Sequence, residues 1–347
     1  MYIYKKKGML IRECVSLASF NTFGLDYKAS CMIHLSDENE ALLLFKRETA
    51  WKEPFLVLGR GSNILFVSDF KGTIIHPGIE GIRVEKEVGD EVIVSAGAGI
   101  EWDKLVEWTT LQGFGGLENL SLIPGTTGAV PVQNIGAYGV EAKDRVTLVE
   151  TLDTDDGSDR VFRGKECGFG YRTSIFKKEY KGKYLVTRVH FRLDKRASYN
   201  LTYGSLKTEV GKLGGATLKN IRQAVINIRQ SKIPDPAIIG NAGSFFKNPV
   251  VSRDTAVTLG EKYPGLPVYD DSPGTCKLAA GWLIEKCGWK GKRIGDAGVH
   301  EKQALVLVNH GEATGNEILH LAEKITASVM EEFGIMLEQE VEIIGIT

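Results

Sequence analysis

At 347 residues, with 43% apolar and 25% charged side chains, the chain has the composition of an ordinary soluble globular protein and is long for one hydrophobic core. A net charge of −1 offers no global attraction for nucleic acid or an anionic membrane, so neither partner is expected and any anion site must be local. Five scattered cysteines form no Cys-x-x-Cys pair and the histidines share no ligand spacing, so no disulfide framework and no metal are expected and a reducing, cytoplasmic compartment fits.

From the N-terminus, Lys5, Lys6 and Lys7 before Gly8-Met-Leu-Ile11 imitate a signal peptide, but Arg12 and Glu13 end the apolar run too early. No stretch approaches the roughly 20 apolar residues of a membrane span. Residues 29–75 read as an α/β unit, with a strand over 30–35, a helix over 37–46 and a short buried strand over 54–58. Strands follow within 72–98, then a helix over 101–111, the densest Gly/Pro/Asn region over 113–139, and strands over 146–152 and 183–193. Beyond Thr217, a plausible N-cap, Leu218, Ile221, Val225 and Ile228 mark an amphipathic helix. A helix is expected over 275–287, closed by Gly288. Another opens on the capping box Thr314-x-x-Glu317 and carries Ile318, Leu321, Ala322, Ile325 and Val329 on one face as far as Gly334. A last strand runs over 335–344.

Forty glycines, about 11–12% against a usage of roughly 7%, cluster in short runs. Leu58-Gly-Arg-Gly-Ser-Asn63 after a buried strand has the chemistry of a diphosphate cradle, because backbone N–H groups can converge on an anion where no Cβ intervenes. It matches neither the Walker pattern nor the dinucleotide fingerprint, and a plain tight turn reads equally well. Residues 115–139 are harder to explain blandly. They hold six glycines and two prolines yet keep apolar residues throughout, the composition of main chain laid along a large planar ligand.

Six ordered segments carry a family resemblance: Leu58-Gly-Arg-Gly-Ser-Asn63, Leu117-Glu-Asn-Leu-Ser-Leu-Ile-Pro-Gly125, Gln133-Asn-Ile-Gly-Ala-Tyr-Gly139, Tyr171-Arg-Thr-Ser-Ile-Phe-Lys177, Gly240-Asn-Ala-Gly-Ser-Phe-Phe-Lys-Asn-Pro249 and Leu337-Glu-Gln-Glu-Val341. Together they resemble the UDP-N-acetylenolpyruvoylglucosamine reductases. Leu201-Thr-Tyr-Gly204 is similar to the substrate-capping segment of the branch with a tyrosine there. The resemblance implies an α+β protein: a two-part FAD-binding half of the vanillyl-alcohol-oxidase type plus a separate α/β substrate-binding domain. The expected division is 1–75 and 76–220 for the FAD-binding parts and 221–334 for the substrate domain, with 335–347 returning to the second part. It further implies non-covalent FAD, in keeping with the absence of His or Cys between Pro77 and Glu166. NADPH and the enolpyruvyl ether of UDP-N-acetylglucosamine are the implied small-molecule partners, in peptidoglycan precursor synthesis, with a monomer favoured.

Residue roles come from the same resemblance. Arg172, Ser244 and Glu340 are the implied catalytic residues: a guanidinium suited to a carboxylate, a proton donor, and a carboxyl that stabilises the intermediate. Read without the motif, Tyr171-Arg172 is an ordinary surface pair. Glu338, Glu340 and Glu342 share parity and read as one solvated strand face. Lys247 and Lys232 are the candidate cations to assist Ser244. The cofactor set is Gly59, Arg60, Gly61, Ser62, Asn63, Ser121, Pro124, Gly125, Thr126, Thr127, Gly128, Gln133, Asn134, Gly136, Ala137 and Tyr138. Tyr203, Lys232, Asn248 and Gln303 are the implied substrate contacts. Three positions depart from the family pattern: Thr173 where aspartate is common, Gln339 for proline, and Arg60 for glycine. Gln339 is expected to loosen the strand before Glu340, and Arg60 to set a cation beside the diphosphate.

Overall fold

The computed structural model describes residues 2–6, 8–48, 53–196 and 198–345. Two compact units emerge, one from Met1–Val15, Lys28–Arg60 and Lys71–Ser231, the other from Ser16–Tyr27, Gly61–Phe70 and Lys232–Thr347. The division thus falls within the 59–63 loop and at the end of a helix rather than at residue 220.

The first unit is built on two five-stranded sheets. One runs Tyr2–Lys6, Met9–Ser16, Lys28–Leu35, Phe70–Pro77, Phe55–Val57, the last two parallel. Asp37 caps the helix Glu38–Leu43 by accepting from the Glu40 N–H, and a π-turn, Leu44–Glu48, takes up the rest of the expected helix. Met9, Ile11, Ile33, Leu35, Phe45 and Ile75 fill the core beneath.

The second sheet is antiparallel throughout, in the order Asp159–Arg163, Val146–Asp153, Tyr184–Asp194, Glu91–Gly97, Ile82–Val88. Alternation along each strand divides its two faces. Val92, Val94, Val149, Val189 and Phe191 pack with Trp102, Leu105 and Val106 of the helix Trp102–Leu111. Burying each such side chain fully contributes about 1.5–3 kcal/mol. Ser95, Arg188, His190 and Glu150 have the opposite parity and form a polar array: His190 Nε2 lies 2.6 Å from Glu150 Oε1, and buried Arg188 pairs with Glu38 at 3.1 Å. The helix Leu218–Lys232 begins as its sequence predicts, with Thr217 Oγ1 accepting from the Asn220 N–H, and Ile221, Ala224, Val225 and Ile228 are buried with Leu206 and Val210.

In the second unit the helix Gly315–Phe333 carries the expected capping box and buries Ile318, Leu321, Ala322, Ile325 and Val329. A four-stranded sheet runs Gly240–Ser244, Val306–Asn309, Ala297–Val299, Arg293–Ile294. Two expectations need correction. The helix over 275–287 is a strand, Thr275–Leu278, followed by a shorter helix, Ala280–Lys286. Cys276 and Leu278 alternate inward, and the strand is central between Val250–Ser252 and Val268–Asp270. The last strand is confined to Glu342–Ile344, which pairs in parallel with Ile64–Phe66 and not with the 76–220 segment. Ile335, Leu337 and Val341 are buried in strand-like alternation, but only a single bridge, Gln339 to Phe246, pairs that stretch. No helix among the described residues is long and apolar enough to cross a membrane, and no group of three or more His, Cys, Asp or Glu among them is placed to hold a metal ion.

Candidate active site

The strand Phe55–Val57 delivers the glycine loop. Its end is fixed by the Leu58 N–H donating to the Ile75 carbonyl at 2.9 Å and by His76 Nδ1–H donating to the Leu58 carbonyl at 2.7 Å. At Gly59 an added Cβ would stand 2.8 Å from Thr126 Oγ1, so that side chain would have to move. Gly61 has φ +61° and would place a Cβ 2.1 Å from the Phe20 carbonyl oxygen. The N–H groups of Gly59, Arg60, Gly125 and Thr126 find no acceptor among the described residues. Unspent backbone donors on two adjoining segments, Gly59 against Thr126, fit a diphosphate. Arg60 is not a lone cation beside them: its guanidinium pairs with Glu101 at 2.9 Å.

The long glycine-rich stretch is pinned to the start of the helix Trp102–Leu111. The Trp102 N–H donates to Gly125 and its indole Nε1–H to Leu120; the Thr127 N–H and hydroxyl both donate to Ile100, and the Gly128 N–H donates to Ala98. The Ser121 hydroxyl donates to the Glu118 carbonyl at 2.6 Å. Asn134 is buried, with its amide donating to Glu141 and Gly170 and its oxygen accepting from the Lys143 N–H. Among the cofactor candidates, Ser121, Thr127 and Asn134 thus direct their side chains to shaping the platform. Pro131 lies in the short helix Val130–Gln133, and Gly136–Ala137 pairs with Val140–Glu141 in a hairpin.

Of the five described non-glycine residues with positive φ, four fall between 122 and 172: Leu122, Asn134, Tyr138 and Arg172. Such strain concentrates at functional sites. Arg172 (φ 54°) donates from Nη2 to the Gly136 carbonyl at 2.8 Å, which ties it to the platform. Tyr138 stands edge-on to half-exposed Tyr203, ring centroids 5.8 Å apart, and burial pushes its phenol pKa up. A residue the sequence reading missed completes this cluster. Arg229 is pushed down in pKa by burial above all; Tyr138 and Asp103 oppose that, and neighbouring Arg172 adds to it. Its Nε is buried with no hydrogen-bond partner among the described residues. The signal available in sequence was its position one turn after Val225, at the edge of the buried stripe. Asp103 is engaged elsewhere: burial opposes its ionisation, but Arg222 at 2.6 and 2.9 Å and the Leu122 N–H hold its carboxyl below the usual range. Arg172, Arg229 and the Tyr138 hydroxyl form an anion-receptive corner of the first unit.

Ser244 and Glu340 belong to the second unit. Ser244 ends the strand Gly240–Ser244 opposite Val306. The Glu340 N–H donates to the Phe245 carbonyl at 2.8 Å, and its own carbonyl accepts from Asn63 Nδ2 at 3.0 Å. The single solvated face expected for Glu338, Glu340 and Glu342 does not form: Glu338 is exposed, whereas Glu340 and Glu342 are half-buried. Gln339 itself is in the paired part of this segment. Its bridge to Phe246 is flanked by the Lys247 N–H donating to Glu338 and the Glu340 N–H donating to Phe245. Lys247 is paired with Glu338. Asn248 Oδ1 accepts from the Ala280 N–H, Gln303 Oε1 from the Leu305 N–H, and Lys232 is exposed at the end of its helix.

Comparison with known proteins decides the family. The model of the UDP-N-acetylenolpyruvoylglucosamine reductase C-terminal domain matches residues 235–344, and that of an FAD binding domain matches 29–160. A UDP-N-acetylenolpyruvoylglucosamine reductase of Bacteroides fragilis is 47% identical over 95% of this chain and 98% of its own length. One of Chromobacterium violaceum is 49% identical over 95% and 97%. The chain belongs to the UDP-N-acetylenolpyruvoylglucosamine reductase family. The crystal structure of the Thermus caldophilus reductase matches with a TM-score of 0.66 at 26% identity, covering 96% of this chain and 99% of that one. The fold class is therefore the expected one, with a two-part FAD-binding half and a separate substrate-binding domain. The protein is an FAD-dependent oxidoreductase.

Proposed function

We propose that this enzyme reduces the enolpyruvyl ether of UDP-N-acetylglucosamine to UDP-N-acetylmuramate with NADPH as electron donor, a cytoplasmic step of peptidoglycan precursor synthesis. The relatives' shared name over nearly the full chain supports the substrate, and the corner of Arg172, Arg229 and Tyr138 is the observation that carries the chemistry. Bound FAD would supply the two-electron chemistry by which a hydride equivalent from NADPH reaches C3 of the vinyl group. The chain's residues handle charge and protons. The cofactor residues at 59–63 and 121–128 would hold its diphosphate, and those at 133–138 would line its ring. Arg172 receives the substrate carboxylate, toward which negative charge spreads as C3 gains hydride. Arg229 adds a second positive charge near Arg172. Ser244 delivers the proton to C2, which leaves a saturated lactyl ether, and Glu340 stabilises the charge before that transfer. Tyr203 closes over the sugar nucleotide, with Lys232, Asn248 and Gln303 as further substrate contacts.

Mass spectrometry of the product tests this. Incubation with NADPH and the enolpyruvyl substrate should yield a nucleotide sugar heavier by two hydrogens, one NADPH being consumed per molecule. NADPH oxidation that leaves this substrate unchanged would point to another acceptor.

A further inference from the structure

We propose that Asn63 is a positioning residue for Glu340: its carboxamide fixes the main chain from which the Glu340 carboxyl projects. The inference rests on the role given above to Glu340. Asn63 closes the glycine loop, where its amide would be assigned to the cofactor, yet Nδ2 donates to the Glu340 carbonyl at 3.0 Å. The Asn63 carbonyl in turn accepts from the Glu342 N–H at 3.0 Å. Strand pairing accounts for the use of a side chain here. The parallel ladder starts with Ile64 opposite Glu342, so residue 340 lies two positions before the paired strand. The asparagine amide extends the hold on this chain beyond the ladder by a side-chain hydrogen bond.

On the other side the Glu340 N–H donates to the Phe245 carbonyl at 2.8 Å, next to Ser244. Both peptide groups flanking the Glu340 Cα are thereby held, one by Asn63 and one by Phe245. Loss of the Asn63 donor removes one of these hydrogen bonds, and a misplacement of that kind slows the step that uses the carboxyl.

The test uses holoenzyme carrying Asn63→Ala or Asn63→Asp, the latter keeping the shape without the donor. In the flavin-loaded fraction, reoxidation by the enolpyruvyl substrate should slow about 3–10-fold, the range of one neutral hydrogen bond. Amide hydrogen exchange over 338–342 should accelerate in both variants, with or without flavin. In a Glu340→Gln background, Asn63→Ala should add no further slowing. Additive penalties, unchanged exchange, or flavin loss with normal reoxidation would overturn the proposal and return Asn63 to the cofactor. If Glu340→Gln alone reoxidises at the normal rate, the role of Glu340 is wrong. If that variant is slow while Asn63→Ala is not, only the positioning role fails.

Discussion

At Gly61 an added methyl would meet the Phe20 carbonyl oxygen at 2.1 Å on a backbone already at φ +61°, so space and conformation both exclude a side chain. Gly61→Ala should lose about 2–4 kcal/mol of stability, read as a lower urea midpoint at unchanged slope. A loss under about 0.5 kcal/mol, the size of an ordinary surface change, would contradict the packing argument. Ser244→Ala makes a complementary prediction about chemistry. Flavin reduction should be nearly intact while reoxidation by substrate falls by about 100-fold or more, because only the second half-reaction needs the proton. Equal slowing of both halves would assign the serine a different task. Legibility at this scale was uneven. Arg172 was found by its motif, but nothing in the motif reveals its positive φ or the Gly136 carbonyl that holds it. Arg229 went unnoticed because a lone arginine on an amphipathic helix reads as solvated, and only the fold brings Tyr138, Asp103 and Arg172 around it.

Among the elements, those with local signals were readable before any coordinates. Thr314 and Glu317 cap the helix Gly315–Phe333, and Thr217 opens Leu218–Lys232, because capping depends on side chains within one turn. The strand Thr275–Leu278 was misread as helix because its pairing comes from Val250–Ser252 and Val268–Asp270, which no local pattern announces. The tail over 335–344 failed in the opposite sense: it alternates like a strand but finds a partner strand only from Glu342 onward. The polar face of the second sheet of the first unit carries its own prediction. The hydrogen bond from His190, ahead of the opposing effect of burial, lowers the Glu150 pKa from its ordinary 4.5. A carboxyl depressed in the folded state stabilises fully above its unfolded value. That contribution disappears as pH falls below 4.5 through the folded pKa. Glu150→Gln should therefore shrink the drop in unfolding free energy across this acid range, measured by urea melts at a series of pH values. An unchanged acid limb would remove the pair from the stability of the sheet.

On the scale of the whole molecule, length and composition pointed to more than one core, and the glycine-rich runs pointed to a large ligand without naming it. FAD, the reaction and the residue roles came through ordered motifs, and the relatives' identity over 95% of the chain fixes the family. The least legible feature was the way the chain is shared out. Segments 16–27 and 61–70, early in sequence, belong to the unit that holds 232–347, because Ile64–Phe66 is the strand partner of Glu342–Ile344. Sequence reading assigns neighbours along the chain to one domain and has no access to such pairings. The central claim, that one flavoprotein links NADPH to the enolpyruvyl sugar nucleotide, is tested most directly by an anaerobic absorbance titration of the purified yellow protein. NADPH should bleach the flavin band, and one equivalent of the enolpyruvyl substrate should restore it. A protein that remains colourless after incubation with FAD, or a bleached band that this substrate leaves unchanged, would contradict it.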